Sequence, residues 1–511
     1  MASTPHRPTF FLRKAVWGFF IFTALLHGAT LHLSISSYPS RLNPLLATDS
    51  ASSNIADWIF SGLLKYDKDA HIVPDLAERF YFTDKKTLVI HLKKGLKWHD
   101  GKEITAEDVL FTFETIRSPK LFTPYTSSFR NVETVEVVDR YTVRIIHKKP
   151  YFKALETWMS AIIPKHLLEN DPDLMTSRFN QHPTGSNSYT LEGFEIGKDI
   201  VLKAFEGYHP HAPNIDKVLY HYVQDPSTEF LMLQSFQLDV GSLTPLQYER
   251  QIDESFKSHY RIVEQPAKAY TYLGFNLTRK PFDDIRIRRA VRLAVDKQEL
   301  VDILFFGHGE PCYGPFLEGA VGFNPEAKAP ATDYAKAREL LKELGYDDEN
   351  PLRFTITTNA DNPTRRYAAE ILQNQLAKAG IEVTIKTMEW QAFLQRVVHG
   401  RDFDTVLLGW SLPLMPDPFN VWHSSGNKKG GFNFISYNNP EADRIITEAE
   451  SIIDRDKLDQ EFQRLFRLIV DDAPYIFLYI PYSITVIDKN ITPIDPGITG
   501  IWHNKNEWIK P

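Results

Sequence analysis

The chain has 511 residues, 43% hydrophobic and 24% charged, an ordinary globular balance with enough length for roughly three domains or two large lobes. Its formal charge of −7 supplies no basic footprint, which argues against a nucleic-acid partner. The single cysteine, Cys312, excludes an internal disulfide and any two-cysteine metal motif, while 13% aromatic residues leave rings for lining a ligand cleft.

Arg7, Arg13 and Lys14 precede the apolar run "AVWGFFIFTALL", Ala15 to Leu26. A positive flank before about a dozen apolar residues has the form of a secretory signal, and the run is short for a membrane span. Residues 1–29 are therefore expected to be a signal peptide or an uncleaved N-terminal anchor on an exported, periplasmic protein. Cys312 lies too far along to be a lipid-modified cysteine at a mature N-terminus. "TLHLSIS" and "TLVIHL" alternate as half-buried strands do. In "KWHDGKEITAEDVLFTFE", Lys97 to Glu114, Asp100-Gly101 makes a turn, and Thr105 with Asp108 forms a helix-start pattern. Val109, Leu110, Phe113 and Ile116 then give that helix one apolar face. His99-Asp100 is set aside as a catalytic dyad, because neighbours on a tight turn do not aim at one reacting atom. "VETVEVVDRYTVRIIHKKP" predicts two strands joined at Asp139-Arg140, and "DIVLKAFEGYH" and "NIDKVLYHYV" predict two more.

After residue 270 the pattern becomes more regular. A strand in "YLGFN" leads to a helix begun by Asp283-Asp284 with Ile287, Ala290, Val291 and Ala294 on its apolar face, and Asp296 with Glu299 begins another. "LRFTITT" (strand), "TRRYAAEILQNQLAKAG" (helix stopped by Gly380), "IEVTIKTM" (strand), "WQAFLQRVVHG" (helix ended by Gly400) and "DTVLLGW" (strand) follow. This alternation predicts an α/β domain with parallel strands and helical crossovers. Ligands of such sheets bind beyond the carboxyl ends of the strands, which places Trp410, Ser411, Asp417, Trp422 and His423 of "GWSLPLMPDPFNVWHSS" on a candidate ligand wall.

Enzyme signatures are scarce. There is no His-Glu-x-x-His zinc motif, and Leu412-Pro413 breaks the nucleophile-elbow pattern that Gly409-Trp410-Ser411 begins. "GHGEPCYG" lacks the Lys-Ser/Thr of a phosphate loop and follows a helix. His209 and His211 flank Pro210 in a loop better read as a solvated turn than as a metal site, and Asp283-Asp284 and Asp471-Asp472 read as helix-start or solvated charges.

These stretches fall in an order that resembles the extracytoplasmic solute-binding proteins of family 5, the oligopeptide, dipeptide and nickel-binding components of ABC importers. "RLNPLLATDSASSNIADWIFSGLLKYD", "PDLAERF" followed by "KWHDGKEITAEDVLFTFE", "YLGFNLTRKPFDDIRIRRAVRLAVDK" and "LLGWSLPLMPDPFNVWHSS" carry the resemblance from about residue 30 to the C-terminus. It implies a two-lobed periplasmic-binding-protein fold of the large, three-subdomain type II form, with a ligand cleft between the lobes. The implied boundaries are 30–58, 170–269 and 487–511 for the core of the first lobe, 59–169 for its inserted subdomain and 270–486 for the second lobe. Hinges are then expected near 269–272 and 485–488.

Two departures from the family pattern bear on the ligand. The Asp that often follows the loop Trp by three residues, and pairs with a peptide amine, is here Pro413; the stretch resembling Gly-Thr-Gly-Pro-Tyr reads Gly185-Ser186-Asn187-Ser188-Tyr189. Main-chain pairing can hold an extended peptide without a charged anchor. The resemblance therefore implies a binding protein, with no catalysis and no cofactor, that takes peptides and delivers them to an inner-membrane permease, the monomer being the family default. A nickel chelate or other small solute, or in another class an exported hydrolase using His99 or His423 as base, are the alternatives. The expected ligand-binding residues are Trp410, Ser411, Asp417 as a substitute amine site, Tyr272 and Asn276 near the hinge, and Asn43, beside Pro44, in the opposing loop.

Overall fold

Alternating burial along Thr30–Ile35 seats Leu31, Leu33 and Ile35 on one face, as a half-buried strand requires. The computed structural model describes Met1 and residues 28–511 other than 196–197, 210, 328–329 and 429–430, so the expected export segment lies outside the described residues. Among the described residues, no helix is long and apolar enough to cross a membrane. The first strand pairs in parallel with Lys217–Tyr222, and that sheet continues antiparallel through Ile200–Ala204 to Tyr189–Gly193. The helix Ser50–Ile59, whose Ser52 N–H donates to the Asp49 carboxylate at 2.8 Å, sends Ile55, Trp58 and Ile59 into the same core.

A second, antiparallel sheet runs in the order Ala77–Phe82, Thr87–Leu92, Thr142–His147, Val132–Asp139. The helix Ala106–Arg117 closes over it with the expected reciprocal cap of Thr105 and Asp108, and Val109, Phe113 and Ile116 are buried.

The largest sheet is mixed. Its order is Val240–Leu243, Tyr475–Asp488, Ala269–Phe275, Thr405–Ser411, Arg353–Asn359, Glu382–Met388, with Tyr260–Pro266 and Gly309–Pro311 also pairing with Tyr475–Asp488. The expected parallel pairing holds for Arg353–Asn359 with its two neighbours, Glu382–Met388 and Thr405–Ser411. These strands are joined by helical crossovers, which parallel neighbours require; Ala269–Phe275 meets its neighbours antiparallel. Helix Pro363–Lys378 packs Ala368, Leu372 and Leu376 against one face, while Phe393 and Val397 pack on the other. The stretch expected as one helix ending at Gly400 is a short α-turn, Trp390–Phe393, followed by a π-turn, Leu394–His399. Arg401, at φ 55°, takes the left-handed position instead of Gly400. It is held there because its carbonyl accepts from Asn276 at 3.1 Å and its guanidinium donates to Ser436 Oγ at 3.2 Å.

The central 14-residue strand, Tyr475–Asp488, is shared by both halves of the molecule. Up to Pro481 it pairs with Ala269–Phe275 and Gly309–Pro311; from Tyr482 onward it pairs with Tyr260–Pro266 and Val240–Leu243. The chain crosses between the halves a second time at Ala267–Lys268, next to the same point.

Candidate functional site

The carboxyl ends of Arg353–Asn359 and Thr405–Ser411 lie side by side, and the helices flanking them lie on opposite faces of the sheet. Such a divergence opens a crevice that no main chain fills. A cavity of about 280 Å³ occupies it, lined by Tyr270, Thr271, Arg365, Trp410, Ser411 and Tyr479. Beside it a cavity of about 470 Å³ is walled by Pro266 and Ile498 from one lobe and by Phe316, Leu412, Pro413 and Ile480 from the other. Glu310 at its edge accepts from the Tyr482 hydroxyl at 3.3 Å, and burial raises its carboxyl above the usual range.

Trp410 is half-buried and held from behind by rings. Tyr475 stacks on Tyr272 with centroids 3.8 Å apart, the Trp410 indole lies nearly parallel to Tyr272 at 6.4 Å, and its Nε1–H reaches the Tyr475 hydroxyl at 3.4 Å. Phe432, itself exposed, meets the same indole edge-on at 5.6 Å. Ser411 is exposed at the end of its strand, and Pro413 is an exposed part of the apolar wall. Trp410 and Ser411 thus line one cavity and Leu412 and Pro413 the next, whereas Trp422, expected on the same wall, is buried against the rings of Tyr437, Tyr475 and Phe477.

The other expected residues sit differently. Tyr272 is fully buried and supports Trp410 from below. Asn276 is also buried: its amide donates to the carbonyls of Arg401 and Phe403, and its oxygen accepts from Thr278. It braces the loop before the Thr405–Ser411 strand. Asn43 is fully buried in the first lobe, where its side-chain oxygen accepts from Leu45 N–H at 3.1 Å, so it shapes the entry to the first helix. Asp417 already has partners: it accepts from Phe419 N–H at 3.2 Å and faces Lys153 Nζ at 3.8 Å.

His99 and Asp100 point to different partners. His99 Nδ1 accepts from Gly185 N–H at 3.1 Å and its Nε2 lies 2.9 Å from the Asn187 carbonyl, while Asp100 pairs with His166 at 2.6 Å. Gly101 takes the positive φ of 85° that the turn needs. His423 Nδ1 accepts from Ser425 N–H, and its ring stacks on Phe419. Among the described residues no group of three or more His, Cys, Asp and Glu is arranged to hold a metal ion, and His209 and His211 stand beside the undescribed residue 210. Asp284 caps its helix as expected, whereas Asp472 is not simply solvated: it accepts from Tyr437 and Asn439. Cys312 is buried, which pushes its thiol up to about 12.

Two features escaped the sequence reading. Arg365 reaches the smaller cavity from the helix that follows "LRFTITT"; the strand-end rule applied there as well as to Trp410 would have pointed to it. Residues 149–156 of the inserted segment cross to the other half, where Tyr151, Phe152 and Ala154 join its core. Lys149 and Arg130 (at 3.2 Å) pair with Glu450, and Glu156 pairs with Arg455 at 2.5 Å. Nothing local in "HKKPYFKALE" marks such partners, because each lies about 300 residues away.

Comparison with known proteins bears on this arrangement. The family described as bacterial extracellular solute-binding proteins, family 5 Middle, matches residues 71–433. The oligopeptide-binding protein AppA of Bacillus subtilis is 32% identical over 473 residues, spanning 89% of this chain and 86% of its own length. The structure of Bacillus subtilis AppA in complex with a nonapeptide aligns with a TM-score of 0.77 at 30% identity, over 95% of this chain and 99% of that one. NikZ from Campylobacter jejuni in complex with Ni(L-His) aligns with a TM-score of 0.78 at 26% identity, over 94% and 99% of the two chains. The glutathione-binding protein GsiB of Salmonella typhimurium is 27% identical over 488 residues, 92% of this chain and 91% of its own.

Proposed function

Because this chain belongs to the bacterial extracellular solute-binding proteins of family 5, we propose that it is the substrate-binding component of an ABC importer whose ligand is a peptide enclosed between two closing lobes. The observation that carries the peptide reading is the cavity of about 470 Å³, largely apolar and walled by residues from both lobes. Such a chamber suits side chains of varied shape, and a ligand touching both walls stabilises closure. AppA, similar over nearly the whole chain, is an oligopeptide-binding protein with a bound nonapeptide.

In this reading Trp410 and Ser411 contact the ligand, Tyr272 backs the indole, and Asp417 offers charge to a ligand amine only in exchange for Lys153. Asn276 and Asn43 support the walls from within the scaffold. The lobes are 30–58, 170–269 and 487–511 with the inserted 59–169, against 270–486. The pivot lies where strand partners change, at Ala267–Lys268 and Pro481–Tyr482, a few residues before the segments implied by the sequence resemblance. The protein works in the periplasm as a monomer, without catalysis, and passes its ligand to an inner-membrane permease.

Native mass spectrometry of protein purified gently from an exporting host, with identification of what denaturation releases, tests this. A heterogeneous set of short peptides is expected. A single non-peptide or metal-containing mass would replace the peptide reading with a chelate or small solute, and labelled peptides returned cut would replace it with a hydrolase.

A further inference from the structure

His308 sits where the two halves meet. Phe306 and Gly307 before it both take left-handed backbone, at φ 55° and 85°, which turns the chain out of the helix Lys297–Phe305 and onto the shared strand. There the His308 carbonyl accepts from Tyr482 N–H at 3.1 Å, and Gly309–Pro311 pairs with that strand up to Pro481. The ring reaches across to the other half. Its Nδ1 lies 2.8 Å from Glu264, on the strand that runs into the Ala267–Lys268 crossing, and its Nε2 lies 2.9 Å from Glu249 on the helix Pro245–Arg250. One side chain thus spans the region where the chain passes between the halves.

A carboxylate only accepts hydrogen bonds and a neutral imidazole has a single N–H, so this arrangement needs the imidazolium. The side chain is 14% exposed; burial works against its charge, but the bonds and charges of the two glutamates outweigh it and raise its proton affinity above the ordinary value. Around it stand Tyr248, whose ring meets the imidazole edge-on at 4.8 Å, Arg250, whose guanidinium is turned over the Phe306 ring, and Tyr482, with Glu310 and Glu318 near its hydroxyl. Among the described residues neither Glu249 nor Glu264 has another ion-pair partner. Once the ring loses its proton, one nitrogen turns a lone pair toward a carboxylate, and two negative charges face each other without a cation between them. We propose that His308, Glu249 and Glu264 form a proton-dependent clasp that restricts movement between the halves to the single closing rotation, so that the ligand is held more tightly in mildly acidic than in alkaline medium. The effect on binding rests on the closure reading above. The proton is fully bound below the unfolded value of about 6.5 and leaves as pH rises through the raised folded one, so the clasp holds on the acid side and is released on the alkaline side. A released hinge samples more open arrangements, and the smaller competent fraction lowers the apparent affinity.

The test places spin labels through Lys203→Cys and Glu370→Cys, exposed positions on opposite halves, the native Cys312 being buried. Pulsed electron resonance then gives the distance distribution in the ligand-free protein at about pH 6 and about pH 9, on either side of the proton's release. With the clasp intact the distribution should be narrow at the lower pH and clearly broader at the higher. His308→Gln should be broad at both. Glu249→Gln should be narrow at both, because its amide accepts from the charged ring and donates to the neutral one. A peptide recovered from the purified protein should shorten the distance in every case, and should bind the wild type about three-fold more weakly at the higher pH, with a smaller change in His308→Gln. Equal widths at both pH values in the otherwise wild-type protein, with the shortening intact, would overturn the clasp and leave the closure reading standing. Broadening with pH in Glu249→Gln would place the responsible proton elsewhere and overturn it as well. A peptide that leaves the distance unchanged at both pH values would overturn the closure reading and, with it, the effect on binding.

Discussion

The bonds of His99 require its neutral Nε2–H tautomer, since Nδ1 accepts from Gly185 and Nε2 donates to the Asn187 carbonyl. Burial accordingly pulls its pKa down to about 4. That lies below the unfolded value of about 6.5, so the folded state binds fewer protons. The stability it contributes is complete above pH 6.5 and is lost as pH falls toward 4, roughly 2 kcal/mol by pH 5. Urea unfolding of wild type and His99→Gln at pH 7 and pH 5 measures this: the pH 5 penalty should shrink by about that amount in the variant, and an equal penalty in both would refute the assignment. Trp410 is the matching case on the cavity wall. Its ring stack stays in place when the indole is removed, so Trp410→Ala should weaken peptide binding by about ten-fold or more with little change in folding. Calorimetry showing unchanged affinity would remove Trp410 from the site. The turn around His99 could be seen in the sequence because Asp100-Gly101 acts locally. Its partners at Gly185 and Asn187 could not, being more than 80 residues away.

Elements with local causes were legible. The Thr105–Asp108 cap is written in four residues, and the alternation of "TLHLSIS" fixes which side chains enter the core. The strand Tyr475–Asp488 was not, although it is the centre of the largest sheet. Its run is apolar on both faces, so it lacks a period of two, and Pro481 speaks against a central strand. Pro481 is tolerated because it stands where the strand changes partners. A similar long-range constraint acts on Gly185. The amides of Ser186 and Asn187 both donate to the Ile59 carbonyl at 2.9 Å, closing the end of the first helix, and a Cβ on Gly185 would lie 1.9 Å from that same oxygen. Gly185→Ala should therefore cost about 2–4 kcal/mol in urea unfolding, against about 1 kcal/mol for Ser186→Ala, which removes only the acceptor of the Ser61 N–H. Equal small losses in the two variants would mean that the segment yields and the close approach is not a constraint.

The two-lobed plan was legible from the ordered resemblance of four stretches, but the way the lobes meet was not. The two halves share a continuous strand that changes partners at Pro481–Tyr482, and next to it His308 of one half bridges Glu264 and Glu249 of the other at 2.8 and 2.9 Å. The segment 149–156 makes a separate contact, with Phe152 edge-on to Phe462 at 5.9 Å and Glu450 facing Arg130 and Lys149. In the proposed closing motion the lobes turn about the shared strand, which keeps the contacts beside it and parts those of this segment, and that motion assigns the Glu450 cluster to the closed form. Opening returns its charges to water, which makes the pairs only modestly stabilising and sensitive to salt, unlike the packing of Phe152. A ligand that binds the closed form sees an affinity scaled by the closed fraction. With open and closed forms near balance, Glu450→Gln, by weakening closure by about 1 kcal/mol, should lower peptide affinity about three-fold and enlarge the radius of gyration of the ligand-free protein in X-ray scattering. Added salt should enlarge the wild type in the same way and affect the variant less. A variant with wild-type dimensions and affinity at low salt would show that the cluster does not govern closure, and the aromatic contact of Phe152 would then be the one to remove next.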